Sequence, residues 1–267
     1  MLGAIIGDVA GSRFEWNNIK VKDFDLLGVA GKCRMTDDSY MSLAVAKAVL
    51  EYNGDLDKLS KLAIKYMQEI GRKYPYAGYG GSFKQWLQSE DPQPYNSYGN
   101  GSAMRVSACG FAANSLEEAI YMADAVTKVS HSHPEGMKGA EAVAAMIYLA
   151  KTGSSIADLR DYVEKQYYKL DFTLDSIRAG HTFDVSCQGS VPQAIEAFLE
   201  SKDFEDSIRN AISIGGDSDT IAAIAGSIAE AYYGIPETLR KQALTFMDTT
   251  TLEILNSFES KYQGVRL

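Results

Sequence analysis

Cysteine is scarce in this chain, with three among 267 residues. Cys33, Cys109 and Cys187 lie far apart and form no Cys-x-x-Cys pair, so a disulfide framework and a thiolate zinc site are both excluded. Reduced thiols in a cytoplasmic protein are the expectation. Positive charge is also short: 26 Lys and Arg stand against 35 Asp and Glu, a formal net charge of −9. That balance removes the basic footprint on which non-specific nucleic-acid binders and anionic-membrane binders depend. Long hydrophobic runs are missing, none approaching the roughly 20 residues of a bilayer span. The opening "MLGAIIGDVAGS" has no basic n-region and its apolar run breaks at Asp8, so it does not read as a signal peptide. Low-complexity and linker-like segments are absent too. With 46% hydrophobic and 23% charged residues, the composition is that of one folded domain over residues 1–267 with a sizeable core.

What is present is helical periodicity. Ser39 to Tyr52 places Met41, Ala44, Val45, Ala48 and Val49 at three- and four-residue spacings and stops at Asn53-Gly54, a C-terminal cap. Leu56 to Tyr74 carries a similar stripe. Ser115 to Val129 opens with Ser115 and Glu118 at capping-box spacing. Further helices are predicted over Gly136–Lys151, Ser154–Tyr168, Val191–Ser201, Phe204–Ile212 and Glu237–Glu259. Strand-like alternation appears only at Tyr168, Leu170, Phe172 and Leu174, too little to build a sheet. The expectation is a mostly α-helical domain with long functional loops over Tyr74–Asn100 and Asp175–Ser190.

Two acidic clusters stand at helix starts. In "MTDDSYMSLA", Thr36, Asp37 and Asp38 lead into a helix, and in "GGDSDTIAAIAGSIAEAYYG", Asp217, Asp219 and Thr220 precede one built of small residues. Capping explains each cluster alone. Together they combine hydroxyl and carboxylate oxygens, the hard ligands that suit Mg²⁺ or Mn²⁺, and contain neither histidine nor cysteine. Successive helical residues point about 100° apart, so Asp37 and Asp38 can serve different ions, whereas Asp217 and Thr220 at i and i+3 can face the same one. If the two starts meet, their carboxylates cannot all stay ionised without cations between them.

"GAIIGDVAGSRFEWNN" reads as a buried small-residue helix, Gly7 and Gly11 permitting close approach, with Glu15 just beyond it either solvated or beside the metals. "SYGNGSAMRVS" fits no nucleotide-binding spacing, but Gly101-Ser102 ahead of the helical "AMRVSACGFAA" would offer N–H groups at a helix start. "SHSHPEG" reads as a loop entering a helix at Pro134, and it holds His131 and His133.

In this order, "GAIIGDVAGSRFE", "TDDS", "GNGSAMR", "HSHPEG" and "GGDSDTIAAIAGSIAEAYYG" resemble the ADP-ribosylglycohydrolase family, which includes dinitrogenase-reductase-activating glycohydrolase and eukaryotic ADP-ribosylhydrolases. The resemblance runs almost end to end. It implies an all-α, orthogonally packed multi-helix bundle with two divalent cations, Mg²⁺ or Mn²⁺, at the bottom of an ADP-ribose cleft. Thr36, Asp37, Asp38, Asp217, Asp219 and Thr220 match the family's metal ligands, with Asp219 where both ions are touched. Glu15 matches the mobile glutamate beside them. Gly99, Asn100, Gly101, Ser102, Met104 and His131 match positions that line the ribose and diphosphate. Ser39 stands where the family commonly has Thr, and the loop Phe183–Ala194 looks like that of a bacterial subgroup.

The implied activity is metal-dependent hydrolysis of the glycosidic bond between ADP-ribose and an acceptor in an ADP-ribosylated protein or small molecule, with ADP-ribose as product. Glu15, Asp37, Asp38 and Asp219 are the candidate catalytic residues, and the general base is either Glu15 or one of the metal-side aspartates. Two other classes share the fold or the ligands: a catalytically silent ADP-ribose-binding or crystallin-like protein, and a dinuclear phosphohydrolase acting on a nucleotide diphosphate.

Overall fold

The computed structural model describes residues 1–28 and 32–263. These form fourteen α-helices: α1 (Leu2–Gly11), α2 (Asp37–Glu51), α3 (Leu56–Lys73), α4 (Gly81–Gln88), α5 (Ser107–Ala112), α6 (Leu116–Thr127), α7 (Pro134–Lys151), α8 (Ile156–Gln166), α9 (Leu174–Arg178), α10 (Cys187–Leu199), α11 (Phe204–Ser213), α12 (Ser218–Tyr233), α13 (Glu237–Leu244) and α14 (Thr249–Tyr262). A 3₁₀ turn occupies Asn100–Ser102. No strand is present among the described residues, and the all-α expectation holds. None of these helices is long and apolar enough to cross a membrane.

The centre of the bundle is α12, which packs against α1, α7, α10 and α11. Every residue of α1 is buried, as is α12 from Ser218 to Ala229. The glycines explain how two backbones come so close. A Cβ on Gly3 would stand 2.2 Å from the Gly226 carbonyl oxygen, one on Gly7 2.0 Å from that of Ala222, and one on Gly11 2.5 Å from Asp219 Cα. Any larger residue at these three positions would force the helices apart. The Glu230 carboxylate adds a tie across the pair, accepting from Gly3 N at 2.7 Å.

Several boundaries follow the sequence signals. Thr36 caps α2, and the chain leaves that helix through Asn53 and Gly54 at φ 56° and 84°. Ser115 accepts from Glu118 N at 3.1 Å, but Glu118 reaches back to Asn114 N at 2.7 Å and not to Ser115, so the capping box is only half formed.

Three expectations are corrected. The helix expected over Glu237–Glu259 is two, because Asp248 ends the turn after α13 by accepting from Thr251 N at 2.9 Å and starting a new N-terminus. Tyr74–Asn100 is not all loop: Phe83, Trp86 and Leu87, at i, i+3 and i+4, bury one face of α4, and Trp86 Nε1 donates to Val129 O at 3.0 Å. Within Asp175–Ser190, α9 and the first turn of α10 are helical. The alternating segment Tyr168–Leu174 buries Tyr168, Leu170 and Leu174 without any strand partner, so its period reflects anchoring of a connection.

Candidate metal centre and nucleotide cleft

The tight α1–α12 contact delivers the two acidic helix starts to one place. Asp8, Asp38 and Asp219 each offer a carboxylate oxygen within 4.8 Å of the others, and Glu15, Asp217 and Asp219 form a second such group. Asp219 belongs to both. Thr36 and Thr220 are buried beside these carboxylates, each at 3% exposure. Asp37 lies outside both groups: its backbone N–H donates to Ala77 O at 3.1 Å, and its Oδ1 would be 2.9 Å from a Cβ on Gly78. It stands at the partly exposed edge, facing the α3–α4 connection.

Asp8 is the member that sequence reasoning missed. Its carboxylate accepts from Thr36 N at 2.8 Å, Thr36 Oγ1 at 2.6 Å, Ser39 N at 3.1 Å and Ser39 Oγ. With four donors it is satisfied, and its role is to lock α1 onto the start of α2. The available signal was an aspartate in an otherwise apolar helix. Ser39 contributes its hydroxyl here, which accounts for a hydroxyl residue at that position.

Electrostatics match the crowding. Burial is the first cause throughout. It lifts Asp8 to about 6, Glu15 to about 7 with Asp217 adding repulsion, and Asp37 to about 8 with Asp8 adding it. Asp38 and Asp219 are held well above the ordinary carboxylate range, and Asp217 is raised. Asp38 Oδ1 is buried with no hydrogen-bond partner among the described residues. A bare buried carboxylate oxygen calls for a cation or a proton, and the surrounding donor set is all oxygen. These residues fit a hard divalent metal.

The "GNGS" segment forms the neighbouring wall. Asn100 donates from Nδ2 to Asp217 Oδ2 at 2.8 Å and to Ser190 Oγ at 2.9 Å, tying this turn to the carboxylate cluster. Asn100 N donates to Val185 O at 2.8 Å and Cys187 N to Tyr98 O at 2.9 Å, which pins it to the α9–α10 connection. Met104 O accepts from Ser42 Oγ at 3.1 Å, holding the segment against α2. Ser102 is buried, and its hydroxyl donates back to Gly99 O at 3.0 Å. The helix start expected at Gly101-Ser102 is instead the 3₁₀ turn, with α5 beginning only at Ser107. His131 is buried, with Nε2 turned toward Gly99 and Gly101. His133 caps α7, Nδ1 accepting from Glu135 N at 3.1 Å.

The segment carrying Glu15 crosses the opposite side. Trp16, 74% exposed, stacks on Phe183 with ring centroids 4.8 Å apart. Lys20 Nζ donates to His181 O at 2.7 Å and to Ile214 O, so the segment is held by side chains at both flanks. A cavity of about 520 Å³ opens nearby, lined by His181, Thr182, Asp184, Ser186, Gln188 and Gln193. Ser190 Oγ, donating to Asp184 O at 3.0 Å, joins its wall to Asn100 and hence to Asp217.

An all-α bundle whose central helix pair presents shared carboxylates beside a glycine turn defines the class, and sequence comparison agrees. The model of the family described as ADP-ribosylglycohydrolase matches residues 1–264. The chain belongs to the ADP-ribosylglycohydrolase family, whose members are hydrolases of glycosidic bonds. It is 27% identical to ADP-ribosylhydrolase ARH3 of Homo sapiens over 94% of this chain and 90% of that one. It is 25% identical to ADP-ribosylarginine hydrolase Tri1 of Pseudomonas putida (strain GB-1) over 91% of this chain and 73% of the other. A solved ADP-ribosylglycohydrolase-related protein complex superimposes with a TM-score of 0.69 at 21% identity, covering 98% of this chain and 96% of that one, a likeness of fold.

Proposed function

We propose that this chain is a metal-dependent ADP-ribosylhydrolase that cleaves the glycosidic bond joining ADP-ribose to an acceptor, in an ADP-ribosylated protein or a small molecule, and releases ADP-ribose. The observation that carries the reading is Asp219, common to two carboxylate groups that interlock at one point. Thr36, Asp37, Asp38, Asp217, Asp219 and Thr220 would hold two divalent cations, Mg²⁺ or Mn²⁺. Such ions supply Lewis acidity and lower the pKa of bound water toward neutrality.

The chain's own residues do the rest. Asn100 orients the cleft wall through Asp217, and Gly99, Gly101 and His131, backed by the buried Ser102 and Met104, would line the ribose and diphosphate. Glu15 offers a carboxylate oxygen in the same group as Asp217 and Asp219, a position that suits a general base at the edge of the metal group. The whole chain acts as one domain. Three free, buried cysteines support a cytoplasmic setting.

The orphaned buried carboxylate oxygen at Asp38 favours a site that holds a cation over a metal-free, crystallin-like role. The test is a thermal-shift matrix of EDTA, Mg²⁺, Mn²⁺ and Ca²⁺, each with and without ADP-ribose, joined to mass spectrometry of products from ADP-ribosylated acceptors. ADP-ribose should stabilise only with Mg²⁺ or Mn²⁺ present, by about 2.7 kcal/mol at a hundredfold excess over Kd. Free ADP-ribose is the expected product. AMP with ribose phosphate would identify a phosphohydrolase, and equal stabilisation in EDTA would remove the metals from the mechanism.

A further inference from the structure

Arg105 is 1% exposed, and the titratable groups that act on it are Tyr95, Cys109 and Cys187, neutral phenol and thiol groups with no carboxylate among them. A guanidinium has donors and no acceptor. Its Nη2 donates to Val126 O at 3.2 Å and to Ser130 Oγ at 2.8 Å, so Ser130 is the acceptor in that contact. The Ser130 hydroxyl has one other partner among the described residues, His131 Nδ1 at 2.9 Å. A hydroxyl carries one proton, and among the described residues the ring nitrogen is the only group placed to receive it. A nitrogen that accepts a hydrogen bond bears no proton, so the neutral ring carries its proton on the other nitrogen.

That nitrogen is Nε2. It would stand 3.2 Å from a Cβ on Gly101 and 3.7 Å from one on Gly99, and it makes no hydrogen bond among the described residues. The rings of Tyr95 and Phe83 flank the imidazole at 5.6 and 6.2 Å between centroids. Glycine at 101 leaves the nitrogen open, and any side chain there would cover it.

We infer that Arg105 and Ser130 hold His131 as a neutral ring with its proton on Nε2, a fixed hydrogen-bond donor directed across Gly99 and Gly101 at an oxygen of the bound nucleotide. Burial first and the Arg105 charge second push His131 well below its ordinary pKa, so the ring stays neutral and keeps this role through the physiological range. The groups facing the ring are Arg105, Ser130, Tyr95 and Phe83, and none is a carboxylate that would favour the imidazolium. Arg105 and Ser130 are positioning residues, and His131 makes the contact. The identity of the oxygen, phosphate or ribose, rests on the ADP-ribose reading above; the tautomer does not.

The experiment is a long-range ¹H–¹⁵N correlation spectrum of the full chain labelled at histidine, with His133→Gln and His181→Gln used to assign the three rings. His131 should show a bare Nδ1 and a protonated Nε2 from about pH 5 to about pH 8, the window in which a free imidazole titrates. ADP-ribose added with Mg²⁺ should move the Nε2 resonance and leave Nδ1 in place. Ser130→Ala should populate both tautomers and weaken ADP-ribose binding roughly tenfold, the effect of one hydrogen bond. A protonated Nδ1 in the wild-type chain overturns the assignment whether or not Ser130→Ala folds. A wild-type chain with the expected spectrum that binds no ADP-ribose overturns the functional reading and leaves the tautomer standing.

Discussion

Asn18 holds Gly216 from both sides: its Nδ2 donates to Gly216 O at 2.9 Å and its Oδ1 accepts from Gly216 N at 2.8 Å. The same Nδ2 lies 2.8 Å from Phe14 O and 3.1 Å from Glu15 O, so one side chain joins the Glu15 segment to the turn before α12. Gly216 has φ 79°, a left-handed conformation that glycine adopts without strain.

Asn18→Ala should therefore free the Glu15 segment while leaving the bundle intact. Stability should fall by about 1–3 kcal/mol, the loss of two partly buried hydrogen bonds. The rate kcat should fall more than KM changes, and fluorescence of Trp16 should report its release from Phe183. Urea melts, steady-state kinetics and emission spectra check this. Unchanged kcat in a folded variant would show that Glu15 needs no such clip.

Asp219→Asn and Asp37→Asn should each abolish turnover with the fold retained. They differ in what they do to the metal-free protein. Asp219 is buried in both carboxylate groups, so its neutralisation should raise the melting temperature in EDTA. Asp37 stands at the edge and should raise it less. Turnover near the wild-type rate in either variant with Mg²⁺ or Mn²⁺ present would remove that residue from the site.

Glu15→Gln tests the general base. It should lower kcat by roughly 10²–10⁴-fold, the usual cost of losing a proton acceptor, with a smaller effect on the affinity for ADP-ribose. Retention of the rate would transfer the base role to one of the metal-side aspartates. Single-turnover kinetics beside a binding titration separate the two.

Stability of the metal-free chain should fall as pH rises. Asp8 at about 6, Glu15 at about 7 and Asp37 at about 8 all lie above their ordinary values of 3.8, 4.5 and 3.8. Between those values the folded state binds more protons than the unfolded one, so the slope of unfolding free energy against pH is negative. The contribution is complete at acid pH below the ordinary values and is lost as pH climbs through 6, 7 and 8 in turn. Each additional proton held by the folded state steepens the fall by about 1.4 kcal/mol per pH unit. Denaturant melts in EDTA against pH should show the decline, and saturating Mn²⁺ should flatten or reverse it. A rise in stability over that range without metal would contradict the buried-carboxylate picture.

Gly7→Ala should cost at least about 3 kcal/mol or prevent folding, because the added methyl meets the Ala222 carbonyl carbon at 2.3 Å and oxygen at 2.0 Å, neither of which can rotate away. Gly80→Ala is the control, since nothing lies within 4 Å of its Cβ position. A melt of Gly7→Ala close to wild type would mean that α1 and α12 can slide apart without loss.

Most of the longer helices, the Thr36 cap and the two acidic starts are legible from sequence because each is a local matter, whereas α4, α9 and the break between α13 and α14 were not. Period 3.6, a threonine or serine before the first turn and Asn-Gly after the last act within a few residues. Thr36, Asp37, Asp38, Asp217, Asp219 and Thr220 could be selected as candidate oxygen ligands on residue type alone, and the helix made of Ala, Ile, Gly and Ser before Tyr232 announced a close contact without naming its partner.

Tertiary structure decided what those residues face. Asp8 looked like an interruption in an apolar run and is the clamp between α1 and α2, since its four donors come from a segment 28 to 31 positions away. Asp219 became the shared carboxylate, and Asp37 an edge residue, through the angle at which two helix starts meet. His131 stood out in its motif, but Arg105 and Ser130 had no spacing to recommend them: a buried guanidinium with no carboxylate among the groups acting on it is visible only once the chain is packed. Sequence determines local conformation and the kinds of atom available, because those depend on near neighbours. The proton on His131 and the crowding of carboxylates are set by desolvation and by groups far along the chain, and these exist only in the folded molecule.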